Sequence, residues 1–92
     1  MARIRTVKPE FWLDEDLAEV GESSLLLAIG LLNHSDDEGY FNANPLLLKS
    51  KVFPLREPST SPRDMIDELQ NCGYIRLFFG SDGKQYGHVI NF

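Results

Sequence analysis

The chain has 92 residues, a formal net charge of −5, 42% hydrophobic residues and 11% aromatic residues. This composition excludes a disordered chain and indicates one small folded domain. The single cysteine, Cys72, excludes an internal disulfide and a thiolate metal cluster. The longest apolar run, residues 25–32, is too short to cross a bilayer, and no apolar segment follows the basic N-terminal residues. We therefore expect a soluble protein of a reducing cytoplasm.

The charges are segregated along the chain. Residues 1–9 carry three basic groups and no acid, residues 10–48 carry nine acids and no Lys or Arg, and residues 49–92 carry six basic groups against five acids. The net acidity argues against a protein that coats nucleic acid non-specifically. The positive charge is confined to an N-terminal arm and to the C-terminal half.

The first 21 residues are predicted to form an arm and a short anchoring helix. Residues 1–8 alternate in polarity, which is typical of an arm or an edge strand. Pro9 is a favourable first residue for a helix, and the acids that follow it suit a helix N-terminus. The apolar residues Phe11, Trp12 and Leu13 are expected to anchor this helix to the body of the protein.

Residues 22–92 are predicted to form the main domain. After Gly21, either Ser23 or Ser24 can cap a helix that is apolar over most of its circumference and is therefore expected to be buried. Gly30 within this helix is expected to let another element approach closely. The stretch YFN that follows the turn DDEG is predicted to be a short strand.

Two further helices and a hairpin complete the predicted domain. Asn44 and Ser61 are each followed by proline, which predicts an N-cap at each position. The second of these helices covers residues 62–72, and Gly73 is suited to a left-handed conformation at its end. YIRLFF and QYGHVINF flank the glycine-rich loop GSDGK and predict a β-hairpin.

The order helix, short strand, helix, helix, strand, strand predicts an α+β fold of the winged helix-turn-helix type. Its C-terminal two-stranded hairpin would be the wing, and YFN would be the short extra strand. A generic α+β domain is the alternative.

Three stretches carry a resemblance to a known family: ARIRTVKPEFWLDEDL, LLLAIGLLNHSDDEGYFNANP and GYIRLF. On these motifs essentially the whole chain resembles the N-terminal winged-helix domain of phage and prophage replication proteins, of the replisome-organiser or replication-initiator type. The resemblance implies binding of double-stranded DNA at an origin or replication fork in a bacterial host cell. It also implies a separate C-terminal region that recruits a helicase or helicase loader, whereas this sequence ends at Phe92, after the last predicted strand.

Phosphate contacts require Lys or Arg, and base readout requires polar side chains on one exposed helix face. The predicted recognition helix is 62–72, because it directly precedes the wing. The basic N-terminal arm is a candidate for a minor groove or for the DNA backbone. The candidates for DNA contact are Arg3, Arg5, Lys8, Lys49, Lys51, Arg56, Arg63, Gln70, Arg76 and Lys84.

Other features of the sequence favour a protein partner. Asp64, Asp67 and Glu68 lie on the exposed face of the predicted recognition helix, where acids would repel phosphate, so this face is either solvated or contacts a basic protein. Phe53 and Leu55 follow a helix without an obvious burial partner and are candidates for an apolar patch used by a homodimer or another protein. The alternative is that the connection folds back and covers them. A transcriptional regulator is a third interpretation of the same pattern.

No enzyme activity, cofactor or metal site is predicted. HSDDEG lacks the alternating ligand spacing of a calcium loop and is better interpreted as an acidic turn. His34 and His88 have no catalytic partners at a recognisable spacing, and His88 is expected at a surface or edge position. GSDGK precedes no helix and so is not a phosphate loop. Cys72 is expected to be a small buried residue.

Overall fold

The computed structural model describes residues 5–90 and residue 92, and within them it has an α+β architecture of four helices and a three-stranded antiparallel sheet. Arg3, one of the predicted DNA contacts, lies outside the described residues. A short 3-10 turn covers Leu17–Glu19. The helices are α1 (Pro9–Trp12), α2 (Glu22–His34), α3 (Pro45–Val52) and α4 (Pro62–Asn71), and the strands are β1 (Tyr40–Asn42), β2 (Ile75–Phe79) and β3 (Gln85–Val89).

The sheet has the order β1-β3-β2, so β3 is the central strand. Tyr40 of β1 pairs with His88, and Arg76 of β2 pairs with the same residue from the other side. The stretch YFN thus forms the short strand predicted from the sequence. His88, expected at a surface or edge position, lies on the central strand, where its hydrogen bond to Glu38 O is exposed.

Two helices begin as the sequence predicts. The Asn44 side chain accepts a hydrogen bond from the Leu46 backbone N–H at 3.0 Å, and the Ser61 hydroxyl accepts one from the Asp64 backbone N–H at 3.2 Å. In both cases the proline that follows fills the first helical position, where no N–H is needed. The predicted N-caps of α3 and α4 are confirmed.

The end of α4 also follows the prediction. Gly73 has a φ of 85°, a left-handed conformation that costs glycine little. Its N–H donates to Gln70 O at 3.1 Å, and the Tyr74 N–H donates to Leu69 O at 3.0 Å. These bonds satisfy the last carbonyls of the helix and reverse the chain directly into β2.

The start of α2 differs from the prediction that Ser23 or Ser24 caps it. The helix begins at Glu22, and both serines are buried inside its first turn. Glu68 of α4 takes the capping role: its Oε1 accepts from the Gly21 backbone N–H at 2.9 Å and from the Ser24 hydroxyl at 3.0 Å. A carboxylate that is distant in sequence therefore satisfies the N–H of Gly21, the residue that directly precedes the helix.

The core lies between the three longer helices and the inner face of the sheet. Phe53 is only 2% exposed and belongs to this core, so its predicted role in a surface patch is wrong. Of the three residues expected to anchor the N-terminal helix, only Phe11 packs on the core. Trp12 and Leu13 are 61% and 80% exposed. The buried apolar residues are Leu17, Leu27, Ala28, Leu31, Phe41, Ala43, Leu48, Phe53, Met65, Ile66, Leu69, Ile75 and Val89.

Among the residues that the structure describes, no helix is both long enough and apolar enough to cross a membrane.

Candidate nucleic-acid interface

A groove of about 600 Å³ opens between the beginnings of α3 and α4 and the loop that joins β2 to β3. Two of the predicted DNA contacts line it, although they are far apart in sequence: Arg63 from the first turn of α4, and Lys84 from the β2–β3 loop. Gln85 lies beside Lys84 in the same wall. We refer to this feature as the α3–α4 groove.

The electrostatics of the α3–α4 groove favour an anion. Pro45 and Pro62, the first residues of α3 and α4, both line it, so the positive ends of two helix dipoles lie at the groove. The ladder between β1 and β3 continues as a hydrogen bond from the Ala43 N–H to Gln85 O at 3.0 Å, which holds the loop close to these helix ends. No Asp or Glu is among the described residues that line the groove.

Most of the other predicted DNA contacts lie elsewhere on the molecule. Lys49 forms an ion pair with Glu57 at 3.2 Å, and Arg76 is on the outer face of the sheet. The structure does not bring these residues to the α3–α4 groove. Four further predicted DNA contacts are exposed but lie outside the groove: Lys8, Lys51, Arg56 and Gln70.

Arg5 is not extended away from the domain as an arm residue would be. Its Nη1 donates to Leu32 O at 2.6 Å and to Ser35 O at 3.1 Å, and its Nη2 donates to Asp36 O at 3.3 Å. The guanidinium also lies 5.0 Å from the ring centroid of Phe92, and the side chain is 16% exposed. Arg5 therefore caps the C-terminal end of α2, where a cation interacts favourably with the helix dipole.

The acidic turn after α2 is held by its own backbone. The Asp36 carboxylate accepts hydrogen bonds from the N–H groups of Tyr40 and Glu38, each at 2.9 Å, and these bonds lower the pKa of Asp36 below its ordinary value. Within the described part of the chain, no group of three or more His, Cys, Asp or Glu side chains is arranged to hold a metal ion.

The predicted partner-binding residues separate into two groups. Asp64 and Asp67 are exposed on α4, and Leu55 is 97% exposed in the connection before it. Glu68, by contrast, is half-buried, and its Oε1 accepts the two hydrogen bonds at the start of α2. Glu68 was expected to contact a partner protein, but its carboxylate forms hydrogen bonds within the domain.

A second candidate binding surface, which was not predicted from the sequence, covers the outer face of the sheet. It consists of Tyr40, Phe78, Tyr86 and His88 together with Arg76 and Asn42, and we call it the aromatic face. The rings of Tyr40 and His88 are 4.4 Å apart between centroids, and those of Phe78 and Tyr86 are 6.1 Å apart and nearly parallel. The alternation in IRLFF and QYGHV is the signal for it, but only the strand register shows which residues become neighbours.

One end of the aromatic face is fixed by a strong hydrogen bond. The Tyr86 hydroxyl donates to Asp82 Oδ2 at 2.7 Å, which raises the pKa of Tyr86 and lowers the pKa of Asp82. The Asp82 carboxylate also accepts from the Lys84 N–H at 3.0 Å. These contacts tie the β2–β3 loop to the ring of Tyr86.

Comparisons of the chain with protein-family models, with curated proteins and with solved structures found no match.

Proposed function

We propose that the chain is a non-enzymatic winged-helix DNA-binding module that acts in the initiation of DNA replication. The succession of α2, α3 and α4 followed by the β2–β3 hairpin supports the winged-helix interpretation, as does the addition of β1 beside β3. In this interpretation α4 is the recognition helix and the hairpin is the wing. The phage or prophage origin, and a helicase or helicase loader as partner, rest on the resemblance of the sequence motifs.

The observation that carries the proposal is that Arg63 and Lys84 line one groove. A DNA phosphate that entered the α3–α4 groove would meet two cations and two helix N-termini, with no side-chain carboxylate in the described lining. Gln70, exposed further along α4, is the remaining candidate for a base contact. Binding would be confined to this groove, because a net charge of −5 disfavours non-specific coating of DNA.

The test is a fluorescence-anisotropy titration of a labelled duplex at low and at physiological salt. The double variant Arg63→Ala/Lys84→Ala should weaken binding and reduce the slope of log K against log salt by about 0.9 for each phosphate that is no longer neutralised. The matched control is Lys51→Ala/Arg56→Ala, which removes the same charge from exposed positions outside the groove. Equal losses of affinity in the two double variants, or no duplex binding by the unaltered chain at low salt, would overturn the proposal.

The exposed acids on α4 support a second candidate function, a protein-interaction domain that contacts a basic partner. Asp64 and Asp67 are exposed on the helix that should face DNA in the first proposal. The variant Asp64→Asn/Asp67→Asn distinguishes the two candidates. Tighter duplex binding by this variant would mean that the acids repel nearby phosphates, whereas unchanged duplex binding with loss of binding to a basic replication protein would favour the interaction domain.

A further inference from the structure

The aromatic face has a regular arrangement set by the strand register. Arg76, His88 and Tyr40 are consecutive partners across β2, β3 and β1, and they form one row. Phe78 pairs with Tyr86, which pairs in turn with Asn42, and these three residues form a second row. Two adjacent rows on three strands thus present three aromatic rings, an imidazole, a guanidinium and an amide.

The opposite face of the sheet is the one that the helices cover. Phe41, Ile75, Gly87 and Val89 are buried there, and they alternate along the strands with the residues of the two rows. Tyr40 is 39% exposed, and the other members of the rows are half-buried or exposed, since they cover one another rather than the core. Tyr40 reaches across β3 to contact Phe78 edge-to-face, with ring centroids 5.9 Å apart.

The charge carried by the two rows is positive. The Arg76 guanidinium lies 5.4 Å from the centroid of the Phe78 ring, which is within the range of a cation–π contact. The two rows contain no carboxylate and no aliphatic side chain. Asp82, at one end of the aromatic face, already accepts hydrogen bonds from the Tyr86 hydroxyl and the Lys84 N–H.

We propose that the aromatic face is a stacking platform for single-stranded nucleic acid, separate from the α3–α4 groove. Bases stack on exposed aromatic rings without regard to sequence, and a neighbouring cation neutralises the phosphate between them. Tyr40 supplies one ring surface, the Phe78–Tyr86 pair supplies another, and Arg76 supplies the cation.

The test uses labelled dT15 and rU15 oligonucleotides at physiological salt, with a labelled duplex in parallel. The variant Phe78→Leu/Tyr86→Leu keeps apolar bulk but removes two rings, and it should lower the affinity for both oligonucleotides about 10-fold or more. The matched control is Phe79→Leu, because Phe79 is 73% exposed on the same strand but points to the other face. Affinity for dT15 should also be unchanged in Arg63→Ala, which changes the α3–α4 groove.

Arg76→Gln provides a second variant that leaves all the rings in place. It should lower affinity for dT15 and reduce the salt slope by about 0.7, the value for one phosphate on a single strand. Absence of dT15 and rU15 binding, or equal losses of affinity in Phe79→Leu and in the two-ring variant, would overturn the platform. So would a chain that sediments as a dimer, becomes a monomer in the two-ring variant and binds neither oligonucleotide. Loss of duplex binding in Arg63→Ala, with dT15 binding unchanged, would support the proposed function of the α3–α4 groove and would show that the platform is a separate site.

Discussion

Gly30 of α2 lies against Val52 of α3 so closely that a side chain at position 30 has no room. A Cβ atom there would be 2.6 Å from Val52 Cγ2 and 2.7 Å from Val52 Cγ1. The glycine predicted from the sequence to allow close approach does so, and its partner is the last residue of α3. At this contact the two helices pack without a side chain from position 30 between them.

Gly30→Ala should therefore destabilise the fold although alanine is the better helix former. We expect a net loss of up to about 2 kcal/mol, because overpacking costs about 1–3 kcal/mol and the better helix propensity of alanine returns about 1 kcal/mol. Val52→Ala in the same chain should recover most of the loss, because it removes both atoms that clash. Urea denaturation of the two single variants and the double variant measures the coupling. Additive effects in this cycle would show that the two residues do not limit the packing.

Gly73→Val should cost about 1–2 kcal/mol, because a β-branched residue is strained at a φ of 85°. A Cβ at this position would meet no atom within 4 Å, so no clash of the Cβ adds to the backbone cost. Gly73→Asn is the matched variant, since asparagine adopts the left-handed conformation more readily than valine. Thermal melting should rank glycine first, asparagine second and valine last. Equal melting temperatures for the valine and asparagine variants would contradict this account.

Glu68→Ala should lower the free energy of unfolding by about 1–3 kcal/mol, because it leaves the Ser24 hydroxyl and the Gly21 N–H without their acceptor. Ser24 is 0% exposed, so its hydroxyl loses a partner at a buried position. Glu68→Gln keeps an acceptor oxygen and should be milder. Asp67→Ala, at an exposed neighbouring position, is the control and should change stability little. Similar losses of stability in Asp67→Ala and Glu68→Ala would show that general helix effects, and not the cap, are responsible.

Arg5→Ala should also destabilise the domain. The guanidinium donates to three carbonyl oxygens at the end of α2, and removal of such charge-assisted hydrogen bonds costs about 1.5–3 kcal/mol. Lys8→Ala removes the same charge from an exposed position and should leave the melting temperature unchanged. An Arg5→Ala variant with unchanged stability but weaker duplex binding would instead restore the arm hypothesis.

Tyr74 should make stability depend on alkaline pH. Its hydroxyl donates to Ala28 O at 3.0 Å, and burial, followed by the charges of Asp14 and Cys72, raises the pKa of Tyr74 from 10.0 to about 12. The folded state favours the neutral phenol. The stability that Tyr74 contributes is therefore complete below pH 10 and is lost as the pH rises from 10 through 12.

Tyr74→Phe tests this dependence. At pH 7 it should be less stable by about 1 kcal/mol, because the hydrogen bond to Ala28 is removed. Between pH 10 and pH 12 the unaltered chain should lose stability relative to this variant, which has no phenol to ionise at that position. Urea denaturation of both chains across this range measures the difference. A difference that stays constant would mean that Tyr74 ionises equally easily in the folded and unfolded states.

Local patterns in the sequence determined the elements of this protein and several of their ends. The proline that follows Asn44 and the one that follows Ser61 specify helix starts through interactions within four residues, and Gly73 specifies a helix end through its own backbone freedom. The α+β class follows from the order of these elements. Such signals are readable because the atoms involved are close together in the chain.

The tertiary structure alone decided which charged side chains are used in hydrogen bonds within the fold and which remain available to a ligand. Glu68 and Arg5 were equivalent in the sequence to other surface charges, and each is hydrogen-bonded to a segment far away in the chain. The grouping of Arg63 with Lys84, and of the rings on the aromatic face, depends on helix packing and strand register. These contacts arise from long-range packing, and no local pattern encodes the distance between residues that only the folded chain brings together.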